Sequence, residues 1–341
     1  MKQVRWAIMG AGGIARRFAA SLAHVERAEL VAIAGRSRAK LDAFAQALSA
    51  DHIVRYADDD GSALSAYERL VEADDIDAVY LSLPHGLHAE WACRLLQAGK
   101  AVLCEKPAAV SAEEMRRIEQ AARETGSLFM EAMKPRFSPV RERILSLVEQ
   151  GELGAVRSLS LTHRINYGEY AGPYLFDPAQ GGCLLDLGCY DISWVCDLLD
   201  GDAAVKSAEV AWRTDGVKPT ADGPGRVDWG DEVRMTVGGT PVSLSLMGDA
   251  SEVEVRMTIT FERGEVQVER FHRPEAFTLR RDGEPSEVVN LPFAVDDFYG
   301  EASHFNELVL EGARESPVMP LSESVRFAEM TDAIRAAWTA A

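Results

Sequence analysis

RWAIMGAGGIA, residues 5 to 15, sets a short apolar run directly before a glycine-rich turn and a helix-like stretch. An apolar run of this length, closed by glycine, fits a strand covered on both faces. Gly10 permits a tight turn, Gly12 lets a pyrophosphate approach the backbone, and Ala15 is the small third residue needed where helix meets strand. Gly13 and Ile14 open the helix, whose N-terminus then faces the anion. Taken alone the motif is weak; its place after the first strand of an alternating pattern makes it a dinucleotide-binding turn.

That alternation runs through the first 130 residues. ELVAIAG, HIVRY, DAVYLSL, AVLC and SLFMEAM read as further strands. Helical stretches lie between them, including Glu90 to Ala98 and Ala112 to Glu124, the latter with Ser111 as N-cap and Glu114 three residues on. Strand and helix in alternation predict a doubly wound parallel sheet over residues 1–130. From about residue 205 the period changes to two, as in SLSLMG, EVRMTITF and GEVQVERF. This predicts an α+β domain over 131–341 with a large, open, mainly antiparallel sheet. Helical patterns return at Asp296 to Gly312 and Leu321 to Ala337, and residues 215–228, DGVKPTADGPGRVD, read as a long exposed loop.

Composition narrows the function class. The 341 residues are 47% hydrophobic, enough for two cores. A formal net charge of -18 without a basic stripe argues against nucleic acid. No run is long enough to span a bilayer, and residues 3 to 9, QVRWAIM, read as a strand, so a soluble cytoplasmic protein is expected. Cys93, Cys104, Cys183, Cys189 and Cys196 are odd in number and lack C-x-x-C spacing, which leaves buried free thiols as the expectation.

Three further stretches carry chemistry. GRSR, at the end of the second strand, offers Arg36, Ser37 and Arg38 where an acid would hold the ribose hydroxyls of NAD. Those groups suit a 2'-phosphate, so NADP is the expected cofactor, with NAD the alternative. In AVLCEKPAAV, residues 101–110, Glu105 and Lys106 precede a proline at a strand end, which holds Lys106 in extended backbone at the sheet rim. In GGCLLDLGCYDIS, residues 181–193, Asp186 and Tyr190 are four apart and share a face if the segment is helical. With a lysine from another element they would form a proton-handling cluster; a packed tyrosine and a capping aspartate are the alternative. His85 and His88 lack a third ligand of matching spacing, and no metal is expected.

Together these stretches resemble the glucose-fructose oxidoreductase, inositol dehydrogenase and rhizopine catabolism superfamily. The resemblance rests on GAGGIA, LPHGLHAEWACRLLQAGKAVLCEKP, MEAMKPRFSP at 130–139 and FDPAQGGCLLDLGCYDIS at 176–193, in the family's order. It implies that Lys106 stands by the nicotinamide and substrate, that Asp186 is the family aspartate, and that Tyr190 is the general acid or base of the tyrosine-bearing branch. It also implies cofactor contacts from Pro84, His85, His88, Glu105 and Arg136, the last with a purely structural role as the alternative. His85 and Cys183 depart from the usual asparagine and glycine.

The expected function is an NADP-dependent oxidoreductase moving a hydride to or from a sugar, polyol or trans-dihydrodiol carbon. Asp186 either orients Lys106 or binds a substrate hydroxyl, and the tyrosines of residues 164–176, RINYGEYAGPYLF, stack on a sugar or simply pack. A broad small-carbonyl reductase and a non-catalytic NADP-binding regulator are the rival readings. An apolar sheet face, VSLSLMG at 242–248, predicts a homo-oligomer of two or more subunits joined through the C-terminal sheet.

Overall fold

The computed structural model of the chain describes residues 3–168, 171–221 and 223–340. Two compact units divide it. The first comprises residues 1–109, 113–133 and 294–325; the second comprises 110–112, 134–293 and 326–341.

In the first unit six strands, β1 (Val4–Met9), β2 (Ala28–Gly35), β3 (Val54–Ala57), β4 (Ala78–Leu81), β5 (Ala101–Glu105) and β6 (Phe129–Ala132), form one sheet in the order β3-β2-β1-β4-β5-β6. Every pair is parallel. The helices α1 (Gly13–Leu22), α2 (Arg38–Ala47), α3 (Ala66–Glu72), α4 (His88–Gln97) and α5 (Ala112–Thr125) supply the crossovers. The order reverses between β1 and β4, which opens a crevice at the carboxyl ends of the strands.

The main division falls between residues 133 and 134, close to the expected boundary at 130, and residues 294–325 return to the first unit. The reason is aromatic packing. Phe305 lies on α9 (Tyr299–Glu311), with its ring 5.4 Å from that of Trp6, and Trp6 in turn packs 5.6 Å from Phe18. The Trp6 indole N–H donates to Asn306 Oδ1 at 2.9 Å. Burying a ring of this size stabilises by about 1.5–3 kcal/mol, enough to bring a distant helix home.

The second unit is built on nine strands, β7 (Val156–Asn166), β8 (Ala203–Arg213), β9 (Val227–Val237), β10 (Thr240–Met247), β11 (Asp249–Phe261), β12 (Gly264–Glu269), β13 (Ala276–Arg281), β14 (Glu287–Asn290) and β15 (Trp338–Ala340). Their order is β14-β13-β12-β11-β7-β10-β9-β8-β15. The ladders are antiparallel except at β10–β7 and β15–β8. The helices α6 (Pro139–Glu149), α7 (Cys183–Asp186) and α8 (Gly188–Leu198) belong to this unit, and α10 (Leu321–Ala336) ends in it.

The open sheet face corrects the reason given for assembly. Val242, Leu244 and Leu246 are buried. Alternation in a strand sends their neighbours to the other side. That side is polar: Ser243 Oγ donates to Ser160 Oγ at 3.1 Å, Ser245 Oγ to Glu232 Oε1 at 2.6 Å, and Arg256 pairs with Glu269 at 2.7 Å. The apolar residues of VSLSLMG already have their cover within the chain.

Candidate active site

Four segments meet at the carboxyl ends of the first sheet. Gly10 has φ +105, and a Cβ there would sit 2.5 Å from the Ser82 carbonyl oxygen, so only glycine fits beside β4. At Gly12 and Gly13 a Cβ would meet nothing within 4 Å. These two glycines therefore leave open space at the N-terminus of α1, which is what an approaching pyrophosphate needs. Ala15 is fully buried and Ile14 exposed.

A cleft of about 610 Å³ runs along this rim, lined by Gly10, Gly12, Arg36, Ser37, Lys40, Tyr67, Ser82 and Pro84 among others. Its charged lining residues are both cations. Arg36 is exposed, and among the described residues no ion pair holds it. Arg38 behaves differently: its Nε pairs with Asp42 at 3.1 Å and its backbone N–H donates to Asp59 at 2.8 Å. Lys40, which the sequence reading passed over, takes the second cationic place in the cleft, two residues beyond the GRSR motif in the first turn of α2. A search for basic residues on the first turn of α2 would have found it.

Beside the cleft, His88 is fully buried, with Nδ1 2.8 Å from the Pro107 carbonyl oxygen and Nε2 2.7 Å from that of Leu83. Burial lowers its pKa, so a neutral ring donates to one of the two carbonyls. The ring therefore bonds to either the Lys106–Pro107 corner or the end of β4 and packs against both. Lys106 is half-buried there, and the Lys106–Pro107 peptide is cis. Glu105 is turned inward, its carboxylate accepting the Tyr80 hydroxyl. The ring of His85 lies 6.0 Å from that of His88, and His85 is buried.

In the second unit the segment 181–193 is not one continuous helix. Asp186 ends α7 and Tyr190 lies in the first turn of α8, with Leu187 between them. The Tyr190 N–H donates back to the Leu187 carbonyl at 3.0 Å, a three-residue step, so the four-residue face argument does not apply. Gly188 marks the break: a Cβ there would be 2.9 Å from Leu184 and 3.1 Å from Leu246 of β10. Gly181 and Gly182 are equally constrained, since a Cβ would meet the Leu175 carbonyl at 2.2 Å and the Asp228 carboxylate at 1.9 Å respectively. Cys183, where a third glycine was expected, is buried with its thiol donating to the Trp229 carbonyl at 3.3 Å.

Asp186 is 9% exposed, and its Oδ2 accepts the Tyr167 hydroxyl at 2.6 Å. Burial, and then the Asp186 charge, push the Tyr167 phenol well above its ordinary value, so it remains a donor. The Tyr167 ring packs 5.3 Å from Trp229. Of the loop tyrosines, Tyr167 therefore packs and orients Asp186, while Tyr170 lies outside the described residues. Tyr190 is half-buried beside two stacked imidazoles, its ring 6.1 Å from His163 and 5.9 Å from His272. His163 Nδ1 lies 3.0 Å from the buried Asp191 carboxylate. Sequence reasoning missed His163 and His272, and read Tyr167 only as a loop tyrosine that stacks or packs, because each reaches the segment from another strand or loop.

Arg136 turns into the interior of the second unit. Its Nη2 pairs with Asp197 at 3.0 Å, its Nε donates to Ser193 at 3.2 Å, and it lies 4.9 Å from the Phe327 ring centre. Asp197 also binds Arg141 at 2.6 Å. A buried carboxylate needs such partners, so Arg136 carries the structural role that stood as its alternative. Among the described residues, no helix is long and apolar enough to cross a membrane, and no cluster of three metal-ligating side chains occurs. Four of the five cysteines are buried, and none is in a disulfide among the described residues.

An oxidoreductase family with an NAD-binding Rossmann fold matches residues 4–133, and the GFO/IDH/MocA C-terminal domain matches 142–267. The chain is 31% identical over 352 residues to trans-1,2-dihydrobenzene-1,2-diol dehydrogenase of Homo sapiens, covering 98% of this chain and 96% of the relative. It is 35% identical over 187 residues to D-xylose 1-dehydrogenase (NADP(+)) 2 of Haloferax volcanii, covering 54% of each. Among solved structures, KijD10, a 3-ketoreductase from Actinomadura kijaniata in complex with NADP and TDP-benzene, superposes with a TM-score of 0.84 at 26% identity, over 99% of each chain.

Proposed function

This chain belongs to the GFO/IDH/MocA oxidoreductase family, and from that premise we propose that it is a cytoplasmic, NADP-preferring dehydrogenase or reductase. Its substrate would be a sugar or a trans-dihydrodiol, the classes named among its relatives, or a polyol. The observation that carries the cofactor choice is the cleft in the first unit, where Arg36, Ser37 and Lys40 stand in the place of a ribose-binding acid. The open space above Gly12 and Gly13 fits the pyrophosphate. NADP, when bound, supplies the hydride chemistry.

The chain's own part is to orient the substrate and to handle one proton. We assign Tyr190 to exchange the hydroxyl proton, Lys106 to supply the positive charge that tunes it, and Asp186 to bind a substrate hydroxyl with its carboxylate fixed by Tyr167. Self-association through the C-terminal sheet is proposed on the family resemblance alone; sedimentation at micromolar concentration showing only a 37.3 kDa monomer would overturn it.

A turnover screen followed at the nicotinamide absorbance tests the reading, with pentoses, hexoses, inositols, dihydrodiols and dicarbonyls offered in turn. The expected result is turnover on a polyhydroxylated substrate, faster with NADP than with NAD. Turnover on dicarbonyls alone would favour a broad carbonyl reductase. Tight NADP binding without turnover on any class would make the chain a regulator.

A further inference from the structure

Behind α7, two carboxyl groups meet in the interior of the second unit. Asp228 and Asp231 both lie on β9 and are 3% and 1% exposed. Three apart, they would normally point to opposite faces. The register of β9 against β8 shifts at Trp229, and an extra residue of this kind turns both side chains to one side. The Asp228 charge reaches Asp231, and neither Asp231 oxygen has an aligned hydrogen-bond donor among the described residues. A buried carboxylate with no donor beside a second carboxylate is too costly to stay charged, so one of the pair carries a proton.

The pair is not isolated from the candidate site. Asp228 Oδ2 accepts the Leu184 backbone N–H at 2.6 Å, in the first turn of the helix that ends at Asp186. Gly182, at φ +98, closes against the same carboxylate so tightly that no larger residue fits. We propose that Asp228 and Asp231 are positioning residues, a carboxyl pair sharing one proton that clamps the start of α7 and so sets Asp186 for reaction. This rests on the reading of Asp186 given above.

The proton should be lost at alkaline pH. The groups facing the pair are Cys183 and Asp186 on α7, Arg335 on α10, Trp338 on β15, and Asp249 across Cys183. Burial, and then the Asp228 charge, push Asp231 up to about 9, against the opposing pull of Trp338 and Arg335. The folded chain therefore keeps a proton that the unfolded chain has lost. Stability falls as pH rises from the ordinary carboxyl value of 3.8 to about 9, and the loss is constant above that.

Asp231→Asn in the full chain supplies a permanent donor and no titration. Its melting temperature should gain on wild type as pH rises from 5 to 9, then hold a constant lead. Asp228→Ala should lower kcat roughly 10- to 100-fold, the cost of a misplaced group, without changing NADP affinity by fluorescence titration. Infrared spectra of the unmutated protein should show a buried protonated carboxyl at pH 7 that disappears by pH 10. Parallel melting curves, or no protonated carboxyl at pH 7, would overturn the shared proton. An unchanged kcat in Asp228→Ala would overturn the clamp. If Asp186→Asn itself left turnover intact, the catalytic reading would fail while the melting and infrared results still decided the pair.

Discussion

The two units meet chemistry in opposite ways. The first offers bare backbone at Gly12 and Gly13 with exposed cations at Arg36 and Lys40, and little of this depends on a distant partner. The second embeds Asp186, Asp191, Asp228 and Asp231 in its interior, and each draws on residues far away in sequence. Solvated cations can wait for an anion at small cost, whereas a buried carboxyl must be paired or protonated to persist. The first region can thus be altered by single exposed side chains, and the second responds as a network.

The largest effect should come from the proposed proton-handling residues. Lys106→Met and Tyr190→Phe should each lower turnover by a factor on the order of 100 to 10,000 while the protein still folds. If the two act as one unit, the double variant should be little worse than either. Additive losses in steady-state kinetics would separate them.

Cofactor choice sharpens the contrast at a smaller scale. Arg36→Ala should reduce the preference for NADP over NAD by roughly 10- to 100-fold, equivalent to losing a charge-assisted bond of about 1.5–3 kcal/mol. Lys40→Ala should act in the same direction. Arg38→Ala, whose guanidinium already pairs with Asp42, should change the ratio little. Equal losses from all three, by fluorescence titration with both cofactors, would mean that the rim acts only as diffuse charge.

The smallest expected effect is on stability. Tyr167→Phe removes the hydroxyl that orients Asp186 and should cost about 1–3 kcal/mol, because a buried carboxylate loses a donor. Denaturant unfolding measures it, and kcat/KM should fall with it. A stable variant with unchanged kinetics would break the assignment of Tyr167 as the residue that holds Asp186.

Much of the first unit was legible because its signals are local. Strand, glycine turn and helix follow one another within residues 4–22, and the order of the alternation is enough to place the crevice. Lys106 was legible as a rim residue for the same reason, although the histidine packed against its corner was legible only as a family match. The chain alone also showed the change to period two and the helices that now read as α9 and α10.

What the sequence could not determine depended on contacts between distant positions. Leu244 and Leu246 look like an exposed apolar face until strand alternation is set against the helices that cover them. Arg136 looks like a ligand for an anion until Asp197, brought beside it by folding, satisfies its charge. α9 returns to the first unit because Phe305 finds Trp6, a match between residues about 300 positions apart. Asp186 and Tyr190 would share a face in one helix, but the structure ends α7 at Asp186 and starts α8 at Gly188, where only glycine fits beside Leu184 and Leu246. Local propensity and periodicity act over a few residues and can be read from the chain, but burial and the pairing of buried charge are properties of the assembled interior.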